Sequence, residues 1–451
     1  MREPRSHRLK LPGTLAEKLV LPGEPRWDET RQAWNLAVDQ RPSAVALPES
    51  VEDVMAVVEL ASRERLRVAA QCTGHNAAPL GSLDETILLK TSRMRRVEID
   101  PVARIARVEA GALWGEVSEA AADHGLAPLA GTSPDVGVVG YTLGGGVSWL
   151  ARRHGLASNS VVAVELVNAD AEFVRADRSN EPELLWALRG GGGSFGIVTA
   201  LEFALFPVTE VYAGALFWPI EQAAEVLAAW RAWVDTVPDE VTSVGRLLQF
   251  PPIDEVAEFL RGRSFVVVEA AVLADEAVGS EIVRELRELG PELDTFALIP
   301  PTSLTTLHMD PEHPVPGSGD GGMLSDLTVE AIDVVVGAFV GSPLLTCEFR
   351  HIGGALAVAA PEHGALVSLD GRFLYFVAGI ARTSAAKVAV DRHVDLVKAA
   401  LGRWGAVRTL PSFMEKPTDP RRFYADGTYR RLRAIKARVD AHGLFRANHP
   451  I

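Results

Sequence analysis

Three glycine-rich segments carry the strongest chemical signal in this sequence of 451 residues: residues 74–81, residues 137–146 and residues 190–196. Glycine has no Cβ, so the backbone N–H groups of such a loop can approach an anion closely and point at it together. One loop of this kind is often only a tight turn, but the three together predict a large ligand that bears phosphate groups. None matches the P-loop pattern or the Rossmann pattern, so a dinucleotide would have to be held in another way.

Two reactive residue types lie at the first of these segments. His75 directly follows Gly74, and Cys72 comes three residues before His75. A histidine in a turn is either a capping or solvent-facing residue or a reactive one, and spacing alone does not decide between them. For Cys72, at the end of a predicted strand, a buried structural thiol is favoured. Cys347 is the only other cysteine, which allows at most one disulfide and no multi-cysteine metal site.

The overall charge narrows the classes of partner. The formal net charge is −14, and an acidic protein is repelled by nucleic acid and by anionic membranes. We therefore expect a small-molecule substrate, no nucleic acid partner and no membrane association. Residues 1–13 contain no long apolar core and no small-residue cleavage site, which favours a cytoplasmic protein.

The elements that must position the glycine loops alternate at short range. Ser50 is a predicted N-cap for a helix over residues 51–62, and a buried strand over residues 66–70 leads into the turn that contains His75. A further helix is predicted over residues 113–124, with Gly125 suited to the left-handed position past its end. These patterns place His75 and its glycine turn at the end of a strand.

The composition changes near Pro207, which is a plausible domain boundary. From about residue 212 to residue 403 helices and strands alternate, as in a second, α+β domain. Residues 310–322 are rich in Pro, Gly and Asp, and we expect them to form a surface loop.

Five segments together match a family pattern. They are residues 41–54 (RPSAVALPESVEDV), 74–76 (GHN), 131–162 (GTSPDVGVVGYTLGGGVSWLARRHGLASNSVV), 186–203 (WALRGGGGSFGIVTALEF) and 444–451 (LFRANHPI). In these residues the chain resembles the berberine bridge enzyme-like branch of the vanillyl-alcohol oxidase superfamily, whose members have a PCMH-type FAD-binding domain. The motifs come in family order and span the first half of the chain and its C-terminal end.

The resemblance implies an α+β fold with a bipartite FAD-binding domain. That domain would comprise residues 1–207, with its core at about 39–207, and would be completed by the C-terminal segment 406–451. Residues 208–405 would form an inserted substrate domain, whose antiparallel sheet would cover the isoalloxazine ring of FAD.

The resemblance also assigns the cofactor contacts, residue by residue. In the family the histidine of Gly-His carries the flavin through its 8α-methyl group, which makes His75 the predicted attachment residue. Ser133 stands where many members have a cysteine that forms a second link, and a hydroxyl is a far poorer nucleophile than a thiolate, so we predict a single link. The predicted contacts are Gln71, Cys72, Thr73, Gly74, His75, Asn76, Ser133, Gly137, Gly140, Tyr141, Thr142, Gly145, Ile197, Val198 and Asn448. Of these, Ile197 and Val198 are expected near the adenine, and Asn448 near the isoalloxazine ring.

The catalytic base does not carry over from the family. Many members have a Tyr-x-Asn motif whose tyrosine is the usual candidate, but the corresponding residues 409–420 contain neither tyrosine nor asparagine. A strand over residues 344–354 offers two faces, one with Glu348 and Arg350 and the other with Cys347, Phe349 and His351, and only one of them can see the substrate. The candidates are Arg350, His351 and Tyr375, with Glu415 as a weaker one.

The expected activity follows from the resemblance. It is that of an FAD-dependent oxidoreductase, an oxidase or a dehydrogenase, which takes a hydride from an alcohol, amine or sugar-like carbon of a small organic substrate. The electron acceptor would be oxygen or another compound, and the sequence does not decide between a monomer and a homo-oligomer. The alternatives are a flavoprotein of the same fold with non-covalent FAD, and a binding protein without turnover.

Overall fold

In the part of the chain that the structure describes, three large β-sheets and a two-stranded one have helices packed on them. The computed structural model describes residue 15, residues 17–254, residue 256 and residues 258–451. The prediction that residues 1–13 hold no targeting segment lies outside the described residues. The sheets and helices are mixed along the chain, and most strand pairs are antiparallel, so the predicted α+β class is confirmed.

The first sheet is four-stranded, in the order β1-β2-β4-β3. Its strands are β1 (Leu19–Val20), β2 (Ala44–Ala46), β3 (Arg67–Gln71) and β4 (Thr86–Lys90), and its helices are α1 (Trp27–Thr30) and α2 (Val51–Glu64). Strand β4 pairs in parallel with both β2 and β3. The Ser50 side chain accepts a hydrogen bond from the backbone N–H of Asp53 and caps α2 as predicted.

The second sheet is five-stranded and antiparallel, in the order β5-β6-β10-β8-β9. Its strands are β5 (Val97–Asp100), β6 (Ile105–Glu109), β8 (Val161–Val167), β9 (Phe173–Asp177) and β10 (Ile197–Ala204), and a separate ladder joins β7 (Leu126–Ala127) to β11 (Phe206–Pro207). The helices of this region are α3 (Trp114–Ala122), α4 (Val138–Leu143), α5 (Ala151–His154), α6 (Ala157–Ser160) and α7 (Pro182–Leu188). Gly125, past the end of α3, has the predicted left-handed conformation, with φ of 67°.

The third sheet is eight-stranded and antiparallel. Its strands are β12 (Val211–Pro219), β13 (Val241–Gln249), β14 (Ser264–Val272), β15 (Leu293–Asp294), β16 (Ala297–Ile299), β17 (Gly317–Leu324), β18 (Thr346–His351) and β19 (Phe373–Ile380). Four helices, α8 (Ala223–Trp233), α9 (Glu276–Arg287), α10 (Val329–Phe339) and α11 (Ser384–Leu401), share an apolar core with one face of this sheet. Met323 and Leu374, on the opposite face, belong instead to the core of the second sheet, so this sheet lies between its own helices and the N-terminal half.

The expected surface loop over residues 310–322 is wrong in its second part, because β17 is a buried edge strand paired with β19. Its glycines are required by close packing. A Cβ on Gly321 would lie 2.5 Å from the carbonyl oxygens of Phe413 and Tyr375. Glycine in a strand often marks such an approach of another backbone, but in the sequence it has the same signature as a turn.

The C-terminal segment returns to the first two sheets. Helix α12 (Asp426–Val439) ends beside Asp440, whose buried carboxylate accepts hydrogen bonds from the backbone N–H groups of Leu444 (2.8 Å) and Phe445 (3.0 Å) and pairs with Lys436. Phe445 then bridges to Val68 of β3 in parallel. One buried carboxylate therefore fixes the turn from which the tail joins the first sheet.

Asp440→Ala tests this anchor. The substitution leaves two buried N–H groups and the Lys436 ammonium without their acceptor, and we expect the free energy of unfolding to fall by about 3 kcal/mol, as for a broken buried ion pair. Urea denaturation measures the change. The matched control is Asp395→Ala, which removes an exposed ion pair with Lys416 and should leave the midpoint unchanged; equal midpoints for the two variants would contradict the anchor.

Candidate functional site

The loop over residues 71–76 begins where β3 ends. Its shape is fixed by Gly74, whose φ of +87° is in the left-handed region that favours glycine. The side chain of Gln40 donates to that of Gln71 (2.8 Å), and the backbone N–H of Trp34 donates to the carbonyl of Thr73 (2.9 Å). The loop is therefore held from the side by the segment that precedes β2.

The His75 ring is held at three points. It stacks on Trp34 with ring centroids 4.1 Å apart, its Nδ1 lies 2.7 Å from Thr73 Oγ1, and its Nε2 lies 3.4 Å from Asp135 Oδ1. The Asp135 carboxylate therefore lies close to Nε2, although Nε2 has no well-aligned hydrogen bond. Burial would raise the pKa of Asp135, but His75 and Trp34 outweigh it and the pKa is lowered, so an ionised carboxylate faces the imidazole.

The second glycine segment packs directly on the first loop. A Cβ on Gly137 would lie 2.8 Å from Cys72 Sγ, which explains the glycine at that position. The Tyr141 ring lies between Gly131 and Gly146, and both glycines would clash with it if they carried a Cβ. The predicted contacts on residues 71–76 and 133–146 are thus brought together in one place.

Neither Cys72 nor Ser133 has the properties of a second attachment point. Burial raises the pKa of the Cys72 thiol to about 11, so it is neutral at physiological pH. Both Cys72 and Cys347 are free thiols. The Ser133 hydroxyl donates a hydrogen bond to Asp135 Oδ1 (3.2 Å).

The tail meets the first loop through Asn448. The side-chain amide of Asn448 donates to the carbonyl of Asn76. The Met414 carbonyl accepts from the amide of Asn76 (3.4 Å) and lies 3.1 Å from His449 Nε2. The tail and the segment around Met414 therefore close one side of the site.

The remaining predicted contacts lie within packed structure. Ile197 and Val198 are buried in β10, and their backbones pair with β8; their contact with an adenine stays a prediction. In the third glycine segment, the Gly190 carbonyl accepts a hydrogen bond from the Tyr424 hydroxyl (2.8 Å). The Gly192 N–H donates to the carbonyl of Leu143 at the end of α4 (3.1 Å).

The side chains of strand β18 show which face of the third sheet meets the N-terminal half. Glu348 and Arg350 share a face with Arg246 of β13 and Glu269 of β14, which we call the charged face. Neighbouring residues of this face, Val244 and Ala271, pack with Trp149 of the N-terminal half. Of the predicted catalytic candidates on the sheet, only Arg350 lies on the charged face.

The other two candidates are separated from Arg350. Tyr375 pairs with Phe349 and packs in the helix-covered core, because its position in β19 points it away from the charged face. His351 accepts a hydrogen bond from Arg152 Nη1 (2.7 Å) at the end of β18, and burial lowers its pKa to about 3. These contacts correct the prediction for both residues, and neither is retained as a candidate base.

The charged face contains a buried network that the sequence analysis missed. His308 places Nδ1 2.6 Å from Glu269 Oε2 and Nε2 beside Glu348 Oε2, while Arg246 donates to Glu269 Oε1 (2.8 Å) and Arg350 donates through Nε to Glu348 Oε1 (2.8 Å). The only sequence signal is Glu269, a charged residue inside the apolar run of β14. His308 lies outside any strand, and nothing in its local sequence indicates its partners.

The network is ionised throughout. Burial would raise the pKa of Glu348, but Arg350 and His308 hold it far below its ordinary value. Burial and Arg246 oppose the protonation of His308, yet Glu269 and Glu348 outweigh them and raise its pKa. Because both ring nitrogens of His308 meet carboxylates, the ring is an imidazolium that donates at both ends.

The region around the loops and the tail contains buried polar groups that have no protein partner. Buried atoms without a hydrogen bond include Asn76 Oδ1, Tyr141 Oη, Thr142 Oγ1, Ser412 Oγ and His449 Nδ1. Such atoms are rare in folded proteins unless a ligand or water binds them. At Gly140 a Cβ would meet no atom within 4 Å, so there is open space beside the backbone, and these features fit a large polar cofactor such as FAD.

Two other features are absent from the part of the chain that the structure describes. There, no group of three or more His, Cys, Asp or Glu side chains could hold a metal ion. No helix of that part is both long enough and apolar enough to cross a membrane.

Comparison with known proteins identifies the N-terminal half. The family model described as "FAD binding domain" matches residues 42–177. An uncharacterised FAD-linked oxidoreductase of Bacillus subtilis, YgaK, is 31% identical over 51% of this chain and 52% of its own length. Glucooligosaccharide oxidase of Sarocladium strictum is 35% identical over 48% and 44% of the two chains, and (R)-6-hydroxynicotine oxidase of Paenarthrobacter nicotinovorans 30% over 58% and 54%. The chain thus spans about half the length of these curated relatives.

Solved structures share the fold over nearly the whole chain. The crystal structure of 6-hydroxy-D-nicotine oxidase from Arthrobacter nicotinovorans superposes with a TM-score of 0.84 at 23% identity and covers 98% of both chains. BBE-like 1 of Physcomitrella patens gives a TM-score of 0.84 at 19% identity, over 96% of both chains. The resemblance inferred from the motifs is confirmed at the level of the fold, and the chain carries an FAD-binding domain.

Proposed function

We propose that this chain is an FAD-dependent oxidoreductase that takes a hydride from an alcohol, amine or sugar-like carbon of a small organic substrate. The observation that carries the proposal is the convergence of unpartnered buried polar atoms and glycine loops opposite the charged face. Relatives named as a hydroxynicotine oxidase and a glucooligosaccharide oxidase support amine and sugar-like substrates. A cytoplasmic location also stays a proposal.

The residues present fit FAD in two places. The backbones of residues 71–76 and 137–142 would hold the pyrophosphate and the flavin edge, and Asn448 with Asn76 would close the isoalloxazine side. Bound FAD supplies the hydride acceptor and is reoxidised by oxygen or another acceptor. The protein supplies the position of the substrate, the exclusion of water and a group that receives the proton.

We propose that His75 carries the flavin through a single covalent bond. Its imidazole is held between Trp34 and Thr73, so it has little rotational freedom left to lose on attachment. The ionised Asp135 beside Nε2 favours a proton on that nitrogen, which leaves Nδ1 with the lone pair that a nucleophile needs. The absence of a reactive thiol, with Ser133 in the family cysteine position and Cys72 neutral, supports one link rather than two.

We propose Glu415 as the proton acceptor in place of the family tyrosine. Phe413, in the segment that corresponds to the tyrosine motif, has no exchangeable proton. Met414 is extended (φ −105°, ψ 113°), which places the side chains of Phe413 and Glu415 on the same side of the segment. The half-buried Glu415 carboxylate has no hydrogen-bond partner among the described residues, and burial with the nearby Asp320 raises its pKa to about 7.

The function is tested on the purified protein under anaerobic conditions. We expect a yellow protein whose flavin absorbance is bleached by at least one compound in a panel of oligosaccharides, cyclic amines and benzylic alcohols. Readmission of air then distinguishes an oxidase, whose colour returns, from a dehydrogenase that needs another acceptor. A yellow protein that no compound bleaches supports the alternative of a binding protein, and a colourless one contradicts FAD binding.

His75→Ala is expected to abolish the covalent bond while FAD still binds. After acid precipitation the wild-type pellet should be yellow and the variant pellet colourless, and an intact-mass spectrum should show one added flavin in the wild type only. His124→Ala, at an exposed histidine of the same domain, and Cys72→Ser should both keep the linked flavin. A linked flavin in His75→Ala, or two added flavin bonds, would show that the proposal is wrong.

The pH profile tests Glu415. Its carboxyl group is protonated below a pKa of about 7 and ionised above it. Because a base acts in its ionised form, kcat/KM for the substrate should rise with pH through about 7. Glu415→Gln should lower the rate by about 100-fold or more and remove that limb of the profile. Glu312→Gln, at an exposed carboxylate, should change neither; an unaltered limb in Glu415→Gln would assign the proton transfer to another group.

A further inference from the structure

The guanidinium group of Arg350 has hydrogen-bond donors that the protein does not use. Its Nε donates to Glu348 Oε1 (2.8 Å), and its Nη2 lies 3.5 Å from His308 Nε2. That histidine nitrogen already donates to Glu348, so it cannot accept a second proton. Within the described residues, the two terminal amino groups of Arg350 have no acceptor.

This arrangement is unusual because the group is largely buried. Only 14% of the Arg350 side chain is exposed. Burial opposes its charge, but the carboxylate of Glu348 outweighs burial and raises the pKa of Arg350. A buried charged donor normally has all its hydrogen bonds made, so the free donors indicate a position for an acceptor from outside the chain.

Arg350 is one of three buried cations in this network. Arg246 pairs with Glu269, and the His308 imidazolium meets both Glu269 and Glu348. The two buried carboxylates thus face three buried cations. Asp310, which accepts a hydrogen bond from Thr132 (3.1 Å), also acts on Arg350 through its charge and helps to raise its pKa, but it accepts no hydrogen bond from the guanidinium.

The surroundings of the free donors are aromatic. The guanidinium carbon lies 5.2 Å from the centre of the Phe413 ring. Tyr141, whose hydroxyl is buried without a partner, is close enough for the charge of Arg350 to act on its ionisation. A flat apolar body with a negatively charged end fits such a space, because the rings would cover its faces and the guanidinium would meet its charge.

We propose that Arg350 binds the carboxylate of a flat organic acid, which makes a small carboxylate-bearing molecule the substrate class of this site. The inference rests on the proposed function, because it assigns the substrate side of the FAD cleft. Glu348, His308 and Glu269 act as positioning residues: each fixes the next through a hydrogen bond, and the last bond holds Arg350 at Nε. The two Nη groups are then free to form the paired hydrogen bonds that a carboxylate accepts.

The experiment compares benzoate with benzamide, its neutral counterpart of the same shape, as probes of the yellow holoprotein. Binding is followed by changes in flavin absorbance and in tryptophan fluorescence. Trp149 can report on the site because its ring centroid lies 6.0 Å from that of His308, which belongs to the same network as Arg350. We expect benzoate to bind about 30-fold more tightly than benzamide, the effect of a charge-assisted pair of hydrogen bonds. Equal affinities in the wild type would overturn the inference without any variant.

Variants then assign the preference to Arg350. Arg350→Met should remove the preference for benzoate, and Arg350→Lys should keep part of it, because lysine preserves the charge but not the two-pronged geometry. Arg284→Met, at an exposed arginine paired with Glu281 and Glu288, should bind both probes as the wild type does. A preference that survives in Arg350→Met overturns the assignment. A colourless wild-type protein would instead mean that the proposed FAD function itself fails.

Discussion

Two loops meet at Gly137, where a Cβ would lie 2.8 Å from Cys72 Sγ. The contact sets the distance between residues 71–76 and residues 131–137, and several features of the site depend on it. It brings Asp135 within 3.4 Å of His75 Nε2 and places α4 and Tyr141 beside the loop that carries the histidine. A larger residue at this position would separate the loops and remove the carboxylate from the imidazole. The glycine therefore acts through the spacing that it permits between two backbones.

The charged face imposes the opposite kind of constraint. Taking several ions out of water is costly, and replacing a buried ion network by apolar groups often leaves a protein as stable or more so. The ring of His308 nevertheless joins two carboxylates that each hold an arginine. Such a network fixes the direction of a guanidinium more tightly than packing would, since every member is oriented by hydrogen bonds. The network lies near Tyr141 and the glycine loops. A role in binding there would explain why the protein keeps a network that costs stability.

The sequence predicted the features that depend on local or linear signals. The helix that Ser50 caps, the strand before His75, the left-handed Gly125 and the FAD-binding segments all follow from periodicity or from motifs that keep their spacing. Family order predicted that the tail belongs with the FAD-binding half, and Asn448 donates to the carbonyl of Asn76 there. By contrast, the sequence did not reveal β17, because Gly321 is required by the close approach of Phe413 and Tyr375, which are distant in sequence. His308 could not be assigned, since its partners come from β14 and β18 and its own segment has no regular pattern. Alternation correctly separated Arg350 from His351, but only the packing of Val244 and Ala271 on Trp149 showed which face meets the cofactor domain.

The two halves of the cleft contribute different kinds of polarity, and this difference bears on what the site can accept. The side formed by the loops and the tail offers backbone amides and neutral groups such as Tyr141 Oη and Asn76 Oδ1. Such groups suit a large polar cofactor that must be bound firmly in either redox state. The side formed by the sheet presents a fixed positive charge at Arg350, although the whole chain has a formal net charge of −14. The negative net charge of the chain repels anions at long range, but salt screens this repulsion within about 10 Å. The buried guanidinium instead acts at contact distance, in a medium of low polarity. Recognition of a carboxylate at Arg350 is therefore a local property of the charged face, independent of the overall charge from which partners were first inferred.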